Sequence, residues 1–261
     1  VEFENSVKYQ AHKILVYGAP KTGKTLLTAE LAKIRKLHWF DLENGAKTIS
    51  ALPVEVKKNI EYFPIRDTRN EPKAIHIINK LFTKEKVSYC AEHNEFICRT
   101  CEKAGIPFLS VDLAKLKPES DILVIDSLSQ LSSSILYYVS RDLVDDEDKL
   151  TFNHFGKQGA YLDKFGSFIQ AAPFSIVCIS HELDIEKDEK KTKFSPLAGT
   201  RNISAKFGKY FDHVIYSELV ANNLRFSSSV GKSTNTQSGS RTNFVIKDSL
   251  IPLFQPTKSE S

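Results

Sequence analysis

Residues 13–25 read KILVYGAPKTGKT, an apolar run that breaks into a glycine loop ending in Lys24 and Thr25. Gly18, Ala19, Pro20, Lys21, Thr22, Gly23, Lys24 and Thr25 satisfy the phosphate-loop pattern G-x-x-x-x-G-K-[ST] in full. The glycines let backbone N–H groups turn inward onto phosphates, and the positive end of the helix behind them adds to the attraction. Lys24 is placed to reach the β- and γ-phosphates of ATP, and the Thr25 hydroxyl to ligate Mg2+. The alternative is a glycine turn that only happens to match. Against it, the pattern sits where its mechanism requires, after a buried strand (12–17) and before a helix (24–36) whose inward face is Leu27, Leu31 and Ile34.

Outward from the loop, the chain keeps a strand–helix rhythm. LHWFDLE (37–43) is a second strand, closed by the turn Asn44-Gly45, and IEYFPI (60–65) a third. Residues 73–83 form an amphipathic helix with Ile75, Ile78 and Leu81 on one side. DILVIDS (121–127) is a continuous apolar run ending in acid, as expected of a central parallel strand. A helix over 156–171 leads to the strand FSIVCIS (174–180), and the charged stretch 182–198 reads as a mobile segment. Late strands are expected at DHVIYSEL, NLRFS and TNFVIKD, with the Ser/Thr/Gly-rich SSSVGKSTNTQSGSR between the last two. This alternation predicts an α/β fold with a mostly parallel central sheet.

Composition narrows the class further. The chain has 261 residues, 41% hydrophobic and 26% charged, which suits one large globular domain with an appendage. No apolar run approaches the ~18 residues a membrane helix needs. The opening VEFENSVKYQ lacks the basic-then-apolar pattern of a secretory leader, so a cytoplasmic protein with no membrane partner is expected. A net charge of +4 permits contact with nucleic acid without arguing for it.

Three acidic or polar strand ends are candidates for the chemistry. Asp126 suits the residue that supports Mg2+, with Ser127 beside the γ-phosphate; a solvated strand end is the alternative. Glu43, at the carboxyl end of the second strand, is the candidate for activating water, and Asp41 lies two residues earlier on the same face. A charged turn would also explain that pair. His181 ends a further strand and is either a γ-phosphate sensor or a surface histidine.

Between 86 and 118 the rhythm breaks, and this insert holds three of the four cysteines. Cys90, His93, Cys98 and Cys101 pair two by two across tight turns, the spacing of a structural Zn2+ site of the Cys3His type. Free thiols in a loop are the competing reading. The insert has too few apolar residues for a core of its own, so a metal would stabilise it strongly. Cys178, in an apolar strand, is expected to be a core residue. The domains are therefore 1–85 with 119–261 as the core, and 86–118 as a zinc-binding insert. Farther on, Arg201, Lys206 and Lys209 interleave with Phe207, Tyr210 and Phe211, the mixture single-strand binding uses. An amphipathic helix with a solvated basic face would look the same. Lys190, Lys191 and Lys193 precede it.

Taken in order, GAPKTGKT, FDLEN, LVIDSLSQL and IVCISHE resemble the RecA-like ATPases over most of residues 11–220. The stretch PLAGTRNISAKFGKYFDHVIY (196–216) is similar to small phage-encoded, RecA-fold single-strand annealing recombinases. The resemblance implies that Glu43 activates water, Asp126 supports Mg2+ and His181 takes the sensor position, where RecA usually has Gln. It implies DNA-contacting loops at 131–155 and 182–200, although DLVDDEDK in the first is acidic. It also implies a homo-oligomeric ring or filament with composite ATP sites. The catalytic set is then Lys24, Glu43 and His181, with Arg241 or Lys232 as a basic residue reaching a neighbour's phosphates. Such fingers are worth ~10³–10⁵ in rate. The implied function is a DNA-stimulated, Mg2+-dependent ATPase that anneals or pairs single-stranded DNA, with a single-strand DNA-binding protein as a candidate partner, in a host cytoplasm if phage-encoded. The same residues would also serve a DNA motor or helicase loader, or a nucleotide-dependent switch that binds a protein.

Overall fold

The computed structural model describes residues 11–143, 149–186, 192–228, 236–240 and 248–255. Its elements in chain order are β1 Lys13–Gly18, α1 Lys24–Ala29, β2 Lys36–Asp41, β3 Ile60–Pro64 and α2 Lys73–Lys84. There follow β4 Lys86–Cys90, α3 Arg99–Ala104, β5 Phe108–Asp112, β6 Asp121–Asp126, α4 Leu128–Val139 and α5 Phe152–Ala171. The chain continues with β7 Ser175–Glu186, β8 Thr192–Pro196, α6 Arg201–Phe207, β9 His213–Val220 and β10 Asn223–Ser227.

The central sheet runs β10-β9-β1-β7-β6-β2-β3, parallel from β9 to β3, with β10 antiparallel at one edge. Alternate side chains of its inner strands go to opposite faces, and both faces are covered. Leu15, Phe40, Ile125 and Cys178 pack beneath α2, α4 and α5. Val16, Trp39, Val124 and Val177 face Leu27 and Leu31 on the other side. Burial on two faces explains why β1 and β6 read as unbroken apolar runs. The result is an α/β fold with a mostly parallel sheet, in which β7 separates the phosphate-loop strand β1 from β6.

Three expectations are corrected. The helix after the loop ends at Ala29 and tightens to a 3₁₀ turn over Glu30–Lys33, which leaves Ile34 41% exposed. The chain has to turn there because β2 starts at Lys36. Within 131–155, residues 131–139 and 152–155 are helical: Leu128, Leu131 and Ile135 bury one face of α4, and the Ser127 hydroxyl caps it by accepting from Gln130 N at 3.2 Å. The Ser-rich composition of α4 hid that periodicity.

The charged stretch after residue 181 is a hairpin. Strand β7 continues to Glu186 and pairs antiparallel with β8, Leu183 opposite Ser195 and Ile185 opposite Lys193. Its charges alternate with Leu183 and Ile185, a period-2 pattern that composition alone obscures. The insert is tied to the main core. Strands β4 and β5 form an antiparallel hairpin whose Val87, Tyr89 and Val111 pack with α2, and only Cys90, Cys98 and Cys101 make a separate small cluster. The late strand TNFVIKD lies outside the described residues. No helix among the described residues is long and apolar enough to cross a membrane.

Candidate functional site

Parallel register brings the candidate residues to one edge of the sheet. Gly18 pairs with His181 across β1 and β7, and Asp41 pairs with Asp126 across β2 and β6. The glycine loop emerges at that edge. A Cβ on Gly18 would meet Ser217 O at 2.0 Å, so only glycine fits there. Gly23 takes φ +80° at the start of α1, and Lys21 is also left-handed at φ 65°. Ala19, Pro20 and Lys21 form the outer crest of the loop, while Thr22 is buried and donates to Ala19 O at 2.8 Å. The Ser217 hydroxyl, on β9, holds the loop by donating to Thr22 O.

Lys24 is buried, and its ammonium donates to Gly18 O at 2.9 Å and Ala19 O at 2.6 Å. Burial pulls its pKa down, against the opposing charges of Glu43, Asp126 and Glu182. Thr25 Oγ1 donates to Asp126 Oδ2 at 3.3 Å, so the two expected magnesium ligands are neighbours. Burial first, then the negative charges of Glu43 and Asp41, push the Asp126 carboxyl up to about 7. That is the environment of a group suited to a cation. The Asp126–Ser127 peptide is cis.

Glu43 is gripped from both sides. Ser127 Oγ donates to Glu43 Oε1, and His181 Nε2 lies 3.1 Å from Glu43 Oε2. Burial works to raise this carboxyl, but the His181 and Ser127 hydrogen bonds outweigh it and hold it below the usual range. Glu43 N also donates to Asp41 Oδ1 at 3.0 Å, and Tyr62 OH donates to Asp41 Oδ2. Asp41 thus orients the backbone that carries Glu43. A cleft of about 630 Å³ opens here, lined by Glu43, Asn44, Arg66, Gln130 and His181 among others.

Several contributors escape the sequence reading. Ser129 Oγ accepts from His181 N at 2.7 Å and lies 3.2 Å from Ser180 Oγ. Ser180 Oγ in turn reaches Leu197 O at 3.1 Å, just past β8. A hydroxyl chain therefore runs from α4 through the histidine strand to the hairpin. Asp67, bonded by Gln130, Ser134 and Ala74, fixes the start of α2 beside the cleft. The signal for Ser129 was its position two residues after Ser127 at the head of a helix.

The insert brings its four soft ligands together. The ligand atoms of Cys90, His93, Cys98 and Cys101 all lie within 4.8 Å of one another. His93 Nδ1 is 3.1 Å from Cys101 Sγ and 3.5 Å from Cys98 Sγ. Zinc bonds of ~2.0–2.3 Å in a tetrahedron require ligand separations of roughly 3.5–3.8 Å, so the set fits with little movement. Burial works to raise the Cys90 thiol, but N–H groups of Glu95 and His93 carry it down to about 7. Asn94, inside the knuckle and buried, accepts from Arg66 N at 2.8 Å and donates to Pro64 O at 3.0 Å. Lys73 Nζ donates to His93 O at 2.5 Å. These bonds fasten the knuckle to the end of β3, next to the cleft.

The expected DNA residues fare differently. Arg201, Lys206 and Lys209 are exposed on and after α6, but Phe207, Tyr210 and Phe211 are 1%, 7% and 3% exposed and belong to the core. No base can stack on them. They recur at core-facing positions of a short amphipathic helix and the turn after it. Lys209 also lies 3.7 Å from Asp163 Oδ1. Lys193 sits on β8, whereas Lys190, Lys191, Lys232 and Arg241 lie outside the described residues.

A family model described as an AAA domain matches residues 10–245. No curated protein matches the chain. Among solved structures, a KaiC-like protein from the hyperthermophilic archaeon Pyrococcus horikoshii OT3 is similar at 12% identity and a TM-score of 0.39, over 82% of this chain and 76% of that one.

Proposed function

The chain belongs to the AAA-domain family, and on that premise we propose that it is a magnesium-dependent ATPase that acts on single-stranded DNA and promotes annealing or pairing of strands. It is a P-loop ATPase of the RecA-like type; the DNA partner and the outcome are the proposal. The observation that carries it is the hold on Glu43. This carboxylate is bonded by Ser127, at the head of α4, and by His181, on the strand that continues into the β7–β8 hairpin.

In the reaction, backbone N–H groups of Gly18–Thr25 and the Lys24 ammonium bind the phosphates. Thr25 and Asp126 would hold Mg2+, which supplies charge neutralisation at the β- and γ-phosphoryl oxygens. Glu43 orients a water, accepts its proton as the oxygen bonds to the γ-phosphorus, and ADP departs with the bridging oxygen. Release of the γ-phosphate changes what His181 and Glu43 have to contact. The Ser129–Ser180–Leu197 hydroxyl chain leads from there to the hairpin, the device that would alter grip on DNA. Cys90, His93, Cys98 and Cys101 would hold a structural zinc, which leaves no open position for chemistry. The protein works as an oligomer, with ATP completed by a neighbouring copy.

The test is annealing of two complementary labelled oligonucleotides with and without Mg-ATP. Faster duplex formation that needs the wild-type phosphate loop supports the reading. Unwinding of a preformed duplex, or no effect on either strand, rejects it in favour of a motor or a protein-binding switch.

A further inference from the structure

A second large cleft lies at the wrong edge of the sheet for the nucleotide. It has a volume of about 710 Å³ and lies between the amino ends of β2 and β6 and the outer side of the β4–β5 hairpin. Lys36 and Asp121, at its wall, begin strands whose far ends are Asp41 and Asp126. Six residues of strand, ~17 Å, therefore separate it from the ATP site.

Six cationic side chains line it, Lys33, Arg35, Lys36, Lys86, Lys115 and Lys117, against three carboxylates, Glu61, Asp112 and Asp121. The carboxylates are already engaged. Glu61 lies 2.9 Å from Lys36 and 3.1 Å from the buried His38. Asp121 accepts from Lys117 N at 2.8 Å, and Asp112 from Ala114 N at 3.2 Å. By contrast, Lys86 and Lys117 are exposed and make no ion pair among the described residues. Arg35 spends its guanidinium on Phe254, with no carboxylate partner among the described residues.

We infer that this groove is a contact surface for the phosphodiester backbone of single-stranded DNA, an inference that rests on the DNA reading above. The cations come from separate elements around a cleft far larger than one phosphate, which suits a polymer of regularly spaced charge. Among the described residues no Phe, Tyr or Trp lines the groove and its one imidazole, His38, is buried, so contact is to the backbone, independent of sequence. The lysines on the β4–β5 side belong to the insert, which gives that hairpin a role in holding DNA.

The test compares wild type with two variants, Lys86→Gln/Lys115→Gln/Lys117→Gln in the groove and Arg201→Gln/Lys206→Gln on α6. Binding of a labelled single-stranded oligonucleotide is measured across a salt series, with DNA-free ATPase and thermal melting as fold controls. The groove variant is expected to bind about tenfold more weakly. Its slope of log affinity against log salt should fall by about 2, since each single-strand phosphate contact contributes about 0.7. The α6 variant and both controls should match wild type. Wild-type binding with an unchanged groove variant overturns this inference and leaves the DNA reading standing. No binding by wild type overturns the DNA reading, and this inference with it.

Discussion

Glu43 illustrates how a carboxylate is prepared for one task. Two hydrogen bonds fix its oxygens, a third fixes its backbone, and Lys24 lies close enough to lower its pKa. Replacing it by Gln keeps the size and removes the proton acceptor. Glu43→Gln should lower the ATP turnover number by about 10²–10⁴, the usual worth of a positioned general base, while nucleotide affinity stays near wild type. Steady-state turnover with a parallel nucleotide-binding titration checks both halves. Asp126 makes a second, pH-dependent prediction. Its folded pKa of about 7 lies above that of an unfolded aspartate, ~3.9, so folding favours the protonated form. That contribution is fully present below pH ~4 and is lost as pH rises to about 7. Without magnesium or nucleotide, melting temperature should therefore fall between pH 5 and 7.5, and Asp126→Asn should flatten the decline. An equal slope in both proteins would contradict it. At this scale the phosphate-loop pattern and the acidic candidates Asp126 and Glu43 were legible as positions brought to one edge of the sheet, because each type stands out at or just past a strand end. Ser129 and Tyr62 were not, since a hydroxyl's importance depends on which neighbour folding gives it.

Among elements, the knuckle and the hairpin carry the account. The knuckle's ligands were readable from spacing, but its attachment was not, because Asn94 reaches across 28 residues to Arg66. Removing that side chain leaves Arg66 N and Pro64 O, both in part-buried bonds, without their partner at the end of β3. Asn94→Ala should cost about 1–3 kcal/mol of stability, measured by denaturant unfolding. Metal analysis of the purified chain should find about one zinc per chain, and Cys98→Ser should lose it with a lower melting temperature. A folded, metal-free wild type would reject the site. The hairpin after His181 was misread as a mobile segment because charge dominates its composition. Its Leu183 and Ile185 alternate as a strand requires. Helix α4 was missed for a related reason: serines favour loops, yet they tolerate a helix whose leucines are buried and whose first turn is capped.

For the whole molecule, the α/β class and the parallel sheet followed from the buried strands KILVYG, LHWFDL and DILVID, which can only be central. Sheet order could not be read that way, because it is set by contacts between strands far apart in sequence. That order positions the candidate site. It places β7 between β1 and β6, and so puts His181 beside both the phosphate loop and Glu43. A site built so that one histidine touches the proposed water-activating carboxylate and lies on the strand of the hairpin should respond to what the hairpin's side of the molecule binds. The most direct test is the steady-state ATPase rate of wild type and Lys24→Ala, each with and without single-stranded DNA in magnesium buffer. The account predicts wild-type hydrolysis that rises severalfold with DNA and a Lys24→Ala protein inactive in both conditions. Hydrolysis that persists in Lys24→Ala, or a wild-type rate indifferent to DNA, would contradict it.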